Sequence, residues 1–136
     1  DLATFAQMLL NRGFYGDRRI FSAATVEALR TRQNNYSSRA IGWDSPAACG
    51  LGMAGGDYFS ASSIGHTGFT GTSMWIDFER DLFVILLTNR VNPTRDNQKH
   101  VPLRRGLHDA VQKSIADMTV EPREWVKDPR LARECR

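Results

Sequence analysis

The string Gly65-His66-Thr67-Gly68-Phe69-Thr70-Gly71-Thr72 concentrates the chemistry of this sequence. One imidazole and three threonine hydroxyls alternate with three glycines. Glycine inside an extended segment costs stability and marks places where another group approaches the backbone closely. A histidine and a threonine beside such a glycine form an edge to which a ligand can bind. A bulged strand with its histidine satisfied inside the core fits the same residues equally well. Residue type and spacing leave both readings open.

Other polar residues carry less. His100 and His108 fall on or near a later helix, where solvent-facing positions are expected, and no thiol or carboxylate stands at metal-ligand spacing from them. Asp77, Glu79 and Asp81 read as turn residues rather than an acid/base pair. Asn89 and Arg90 close an apolar run and read as structural; Trp43 and Trp75 read as core. Cys49 and Cys135 are too far apart in sequence to suggest a disulfide framework or a zinc site. Neither a cofactor nor a metal is expected.

The elements that must hold the glycine-rich string follow from periodicity. Ser63 to Thr70 reads as a strand. Thr72 to Phe78 reads as a second, with Met74 and Ile76 on one face and Trp75 on the other. A polar turn over 77–81 leads into Leu82 to Leu87, a continuous apolar run expected of a strand buried on both faces. Leu2, Phe5, Ala6 and Leu9 predict a first helix of about eleven residues, started by Asp1 and ended near Gly13. A turn over 13–17 follows. Ser22 caps a second helix that buries Val26 and Leu29. A third begins near Pro102, with Leu103, Leu107, Ala110, Val111, Ile115 and Met118 as its apolar stripe. That stripe can cover one face of the Leu82 to Leu87 strand. Nothing of comparable length is left for the other face; the first two helices could reach it, but their apolar faces are short, and this imbalance favours a further segment outside this chain. Residues 34 to 62 are rich in Asn, Ser, Gly, Ala and Pro, with Ile41-Gly42-Trp43 and Leu51-Gly52-Met53 as short-strand candidates. The pattern predicts an α/β fold of the α+β type: an antiparallel sheet with terminal helices packed on it.

Composition bounds the rest. The 136 residues suit one domain, and 41% hydrophobic with 24% charged residues is ordinary for a globular chain. No apolar run is long enough for a membrane span. The net charge of +3 gathers toward the end, in Arg123, Lys127, Arg130, Arg133 and Arg136, with only Trp125 nearby. A nucleic-acid groove would interleave aromatics with cations over a surface. A solvated basic tail over 119–136, beyond a domain over 1–118, fits better, and no nucleic-acid partner is expected. A well-formed helical pattern opens directly at Asp1, which favours further residues upstream.

The string from Gly65 through Ser73-Met74-Trp75-Ile76-Asp77, joined to Leu87-Thr88-Asn89-Arg90, resembles the last part of the β-lactamase-related serine hydrolases. That superfamily holds class C β-lactamases, penicillin-binding proteins and esterases. Its third motif is Lys-Thr-Gly or His-Thr-Gly, and His66-Thr67-Gly68 matches the second form. Asp1 to Asn11 and Ser22 to Val26 resemble helix starts in the same superfamily, so the likeness covers about residues 1 to 118. It implies acyl transfer: a serine attacks an ester or amide carbonyl, and backbone N–H groups hold the oxyanion. Carried over, His66, Thr67 and Gly68 would line the site, and the Phe69 N–H would be one oxyanion donor. Gly68 would leave room for substrate against the strand. Histidine can be neutral at physiological pH where lysine cannot, which implies a weaker, pH-dependent hold on carboxylates.

The superfamily's Ser-x-x-Lys is absent, and none of Tyr15, Tyr36 and Tyr58 opens a Tyr-x-Asn. The expectation is therefore the C-terminal portion of a hydrolase, silent alone and partnered by its missing N-terminal part and a small ester or amide. A non-catalytic module that keeps only the scaffold, and binds through a strand edge, is the alternative. Relatives are often bacterial and exported, which implies a periplasmic or secreted setting; the sequence itself assigns no compartment.

Overall fold

A computed structural model describes residues 1–34, 37–47, 54–115 and 119–123. Leu51-Gly52-Met53, Tyr36, both cysteines, Met118 and residues 124–136 lie outside them. The elements run α1 (Leu2–Leu10), β1 (Phe14–Tyr15), β2 (Arg18–Arg19), α2 (Ala23–Arg30), β3 (Ile64–Thr67), β4 (Ser73–Asp77), β5 (Leu82–Leu86) and α3 (His100–Ser114). The fold is α+β, with an antiparallel sheet ordered β3-β4-β5.

The alternation in β4 divides the core. Ile76 and Met74 face one layer with Ala6, Met8, Leu9, Val26, Trp43, Ile64 and Phe83. Trp75 faces the other with Phe59, Val84, Leu82 and Val111. The register agrees, because Ile76 pairs with Phe83 and Trp75 with Val84, so paired residues share a face. Trp75 is fully buried, and the indole lies where a Cβ on Gly65 would stand, 2.1 Å from Cδ2. That contact makes Gly65 a packing glycine.

Helices thus cover both faces of the sheet, which corrects the expected shortage on one side. α1 closes the first layer with Ala6, Met8 and Leu9. Its expected stripe is partly wrong: Leu2 and Phe5 are 49% and 37% exposed, and Phe5 stacks on Trp43 at 6.3 Å. The helix ends where Gly13 N–H donates to the Met8 carbonyl at 2.8 Å. Ser22 caps α2 as expected, accepting from Thr25 N–H at 3.0 Å. The turn over 13–17 is the tip of a β1-β2 hairpin.

α3 departs most from expectation. It begins at His100, two residues before Pro102, and its buried residues are Arg104, His108 and Gln112. Leu103, with 53% of its surface exposed, and Ala110 face outward. The helix is rotated by about one residue, roughly 100°, from the apolar stripe. Its polar row at i, i+4, i+8 turns inward because the sheet offers polar partners there. His108 Nε2 meets Ser73 Oγ at 3.0 Å, Gln112 Oε1 accepts from Arg80 at 3.4 Å, and Arg104 reaches the turn after β3.

β5 is also less enclosed than its apolar run predicts. Only Val84 is buried, and Leu87 falls outside the strand with 70% exposure. β5 forms one edge of the sheet among the described residues. Ile41-Gly42-Trp43 is no strand. It makes a turn closed by Ala40 N–H on the Trp43 carbonyl at 2.9 Å, and Asp44 bridges to Gly65 on the outer edge of β3. Asp77 is more than a turn residue. Fully buried, it accepts from Ser60 N–H (2.8 Å), Ser60 Oγ (2.6 Å) and the Glu79 and Arg80 N–H groups, and pairs with Arg80 at 3.1 Å. Part of the expected tail also returns to the body, where Arg123 N–H donates to the Asp57 carbonyl at 2.8 Å.

Candidate active site

β3 ends at Thr67, three residues earlier than the pattern suggests. Gly68 N–H donates to the Thr72 carbonyl (2.8 Å) and Gly71 N–H to the Gly68 carbonyl (3.1 Å), so 68–71 form a tight turn between β3 and β4. Gly71 sits at φ +95, where a side chain would be strained, and its missing Cβ would stand 2.4 Å from Thr88 Oγ1. The space beside Gly68 is taken by Thr72 Oγ1, 2.1 Å from where a Cβ would be. The turn itself therefore requires Gly71, and Thr72 packs closely on Gly68, whatever lies outside.

The four residues expected in the site form one continuous exposed edge. His66 is exposed, Thr67 and Gly68 are half-buried, and Phe69 is 62% exposed. Of the two readings of this histidine, the buried one is excluded. His66 Nδ1 lies 2.9 Å from the Thr67 carbonyl oxygen. Two guanidinium groups lie over the Phe69 ring, that of Arg90 at 4.7 Å and that of Arg95 at 5.5 Å from its centroid.

Behind this edge every carbonyl of the turn is engaged. Arg104 Nη2 donates to the Gly68 carbonyl and Arg104 Nε to that of Gly71, each at 2.8 Å. Arg90 Nε donates to the Phe69 carbonyl at 2.8 Å. The Thr70 carbonyl accepts from Arg90 N–H and Thr88 Oγ1, both at 2.9 Å. Arg90 Nη1 is held in turn by the carbonyls of Arg95 and Asn97. Desolvation first, and then the Arg90 charge, pull the Arg104 pKa below its ordinary value. Among the described residues nothing accepts from the Phe69 N–H. The candidate site is the exposed side of a turn whose carbonyls are all engaged and whose Phe69 N–H has no acceptor among the described residues.

Sequence reasoning missed the clamp. The spacing of Arg104, His108 and Gln112 was its one visible signal. The acceptors of Arg104 are backbone carbonyls, which no residue type announces. The same reasoning placed His108 in solvent, and it is fully buried against the edge of Phe59, 5.6 Å between ring centroids. Burial, and secondarily the Arg104 charge, push its pKa down to about 4.

Ser73 and His108 are within the reach of a nucleophile and its base. The pair is sealed, with Ser73 4% and His108 0% exposed. His108 Nδ1 has no partner among the described residues, so no third group orients the ring. A sealed serine cannot attack an external carbonyl. Two cavities lie away from this pair, about 580 Å3 between α1, α2 and Phe78, and about 360 Å3 against Phe5, Tyr15 and Ile20. No group of three or more metal-ligating side chains occurs among the described residues.

A family model described as Beta-lactamase matches residues 1–108. Two proteins of Escherichia coli, from strains O157:H7 and K12, are 34% and 33% identical over 101 residues, or 74% of this chain. One from Salmonella paratyphi B is 30% identical over 102 residues, or 75% of the chain. All three carry the provisional name D-alanyl-D-alanine carboxypeptidase. The matched stretch spans only 23% of the length of each E. coli relative and 24% of the Salmonella one.

Proposed function

This chain belongs to the beta-lactamase family, a family of serine hydrolases, and from that premise we propose that it is one wall of an acyl-transfer site. The β3 edge and the turn after it lie beside a carbonyl under attack. His66 and Thr67 present polar groups to the substrate, and the Phe69 N–H faces the oxyanion. The nucleophilic serine and its base come from an N-terminal part, joined to this chain or separate from it. The substrate is a small ester or amide.

The observation that carries this reading is the exposed His66–Phe69 edge with an uncommitted N–H at Phe69. Ser73, the serine that lies within hydrogen-bond reach of a histidine, lacks access. Two further features support an absent partner segment. The outward side of α3 carries Val101 and Leu103 at 51% and 53% exposure, and β5 has a free edge among the described residues. Apolar surface and open strand edges call for cover.

The test is a burst assay with a chromogenic ester and with a peptide ending in D-alanyl-D-alanine. The 136-residue chain alone should be silent. The chain together with a part bearing Ser-x-x-Lys should acylate and turn over, and serine-to-alanine replacement in that motif should abolish both. Turnover by the isolated chain, or none by the complete polypeptide, overturns the reading.

A further inference from the structure

We propose that Arg104 is a positioning residue for this site, fixing the Gly68–Phe69 peptide so that its N–H is presented to substrate. The inference rests on the acyl-transfer reading above and adds a residue from a different element, α3, to it.

The argument begins with the peptide plane. A trans peptide is rigid, and its C=O and N–H point in opposite directions. Fixing the Gly68 oxygen therefore fixes the direction of the Phe69 hydrogen. Arg104 Nη2 holds that oxygen at 2.8 Å, and Gly71 N–H holds it from within the turn at 3.1 Å. The same guanidinium holds the Gly71 oxygen through Nε at 2.8 Å. One planar group thus spans two carbonyls three residues apart and sets the width of the turn. An ammonium, a compact point charge without that fork, does not reproduce the span.

Charge adds to geometry. Arg104 is 6% exposed, and no carboxylate pairs with it among the described residues. A cation buried without a counter-ion is costly. Here the carbonyl dipoles of the turn take its charge. A charged donor on the oxygen side polarises the amide and strengthens its N–H as a donor. Negative charge developing at Phe69 N–H then meets a peptide already polarised toward it. Arg90 does the same for the next peptide through the Phe69 carbonyl at 2.8 Å.

Three variants test this in the complete polypeptide. Arg104→Lys keeps the charge and loses the fork. Arg104→Gln keeps one donor and loses the charge. Arg105→Met removes an equal charge from the adjacent position, which pairs with Asp57 and touches nothing in the turn. An oxyanion donor acts in the transition state, and loss of one costs about 100- to 1,000-fold in kcat. Misaiming one should cost about tenfold or more in kcat, with KM within about twofold. Both Arg104 variants should show this, and Arg105→Met should not.

In the isolated chain, residual dipolar couplings of the Phe69 N–H should change in Arg104→Lys while those of β4 stay. Unchanged kcat with unchanged couplings overturns the proposal. If the wild-type polypeptide hydrolyses nothing, the acyl-transfer reading fails by itself. The couplings still decide whether Arg104 orients the peptide.

Discussion

At the scale of single residues, His108 shows how burial converts a titratable side chain into a pH-dependent load. Its proton is favoured in the unfolded chain, where histidine titrates near 6.5, and disfavoured in the fold, where the pKa is about 4. The folded pKa is depressed, so the unfolded state binds the extra proton as pH falls. Stability is intact above about pH 6.5, declines between 6.5 and 4, and levels off below. The full decline is on the order of 3 kcal/mol. Denaturant midpoints measured from pH 8 to pH 4 should show this fall in the wild type, and a shallower one in His108→Gln. Parallel curves for the two proteins would show that folding leaves the His108 pKa unchanged.

Elements impose their own constraints. β3 and β4 can pair only if nothing projects from Gly65 into the Trp75 indole. Overpacking a buried site by one methyl costs about 1–3 kcal/mol. Gly65→Ala should lower the unfolding free energy from urea titration by that amount with little change in slope, and an unchanged midpoint would mean that the indole is free to move. The glycines of the next turn answer to Thr72 and Thr88 in the same way. The glycine pattern that resembles a substrate-facing motif is thus also a packing pattern.

For the whole molecule, the rotation of α3 decides which surface is inside. With polar residues inward, Leu103 is left outside and should tolerate a polar replacement. Leu103→Gln should leave the unfolding free energy of the isolated chain within about 0.5 kcal/mol, as surface changes do. It should also weaken association with the N-terminal part in sedimentation experiments. A loss of about 2 kcal/mol or more, the cost of a core leucine, would place Leu103 inside and overturn the rotation.

The sequence by itself determined the antiparallel strands, the opposed faces of Met74 and Ile76 against Trp75, and the Ser22 cap. Those follow from periods of two residues and from side chains that act on near neighbours in the chain. Only the tertiary structure decided that α3 turns Arg104, His108 and Gln112 inward, that α1 supplies the second layer, and that Asp77 is a buried hub. An apolar stripe reports where a helix would bury greasy surface against an apolar wall. The wall here is partly a row of backbone carbonyls, identical for every residue type and therefore unwritten in the letters. Where such acceptors gather, a buried arginine becomes favourable, and only the folded chain brings them together.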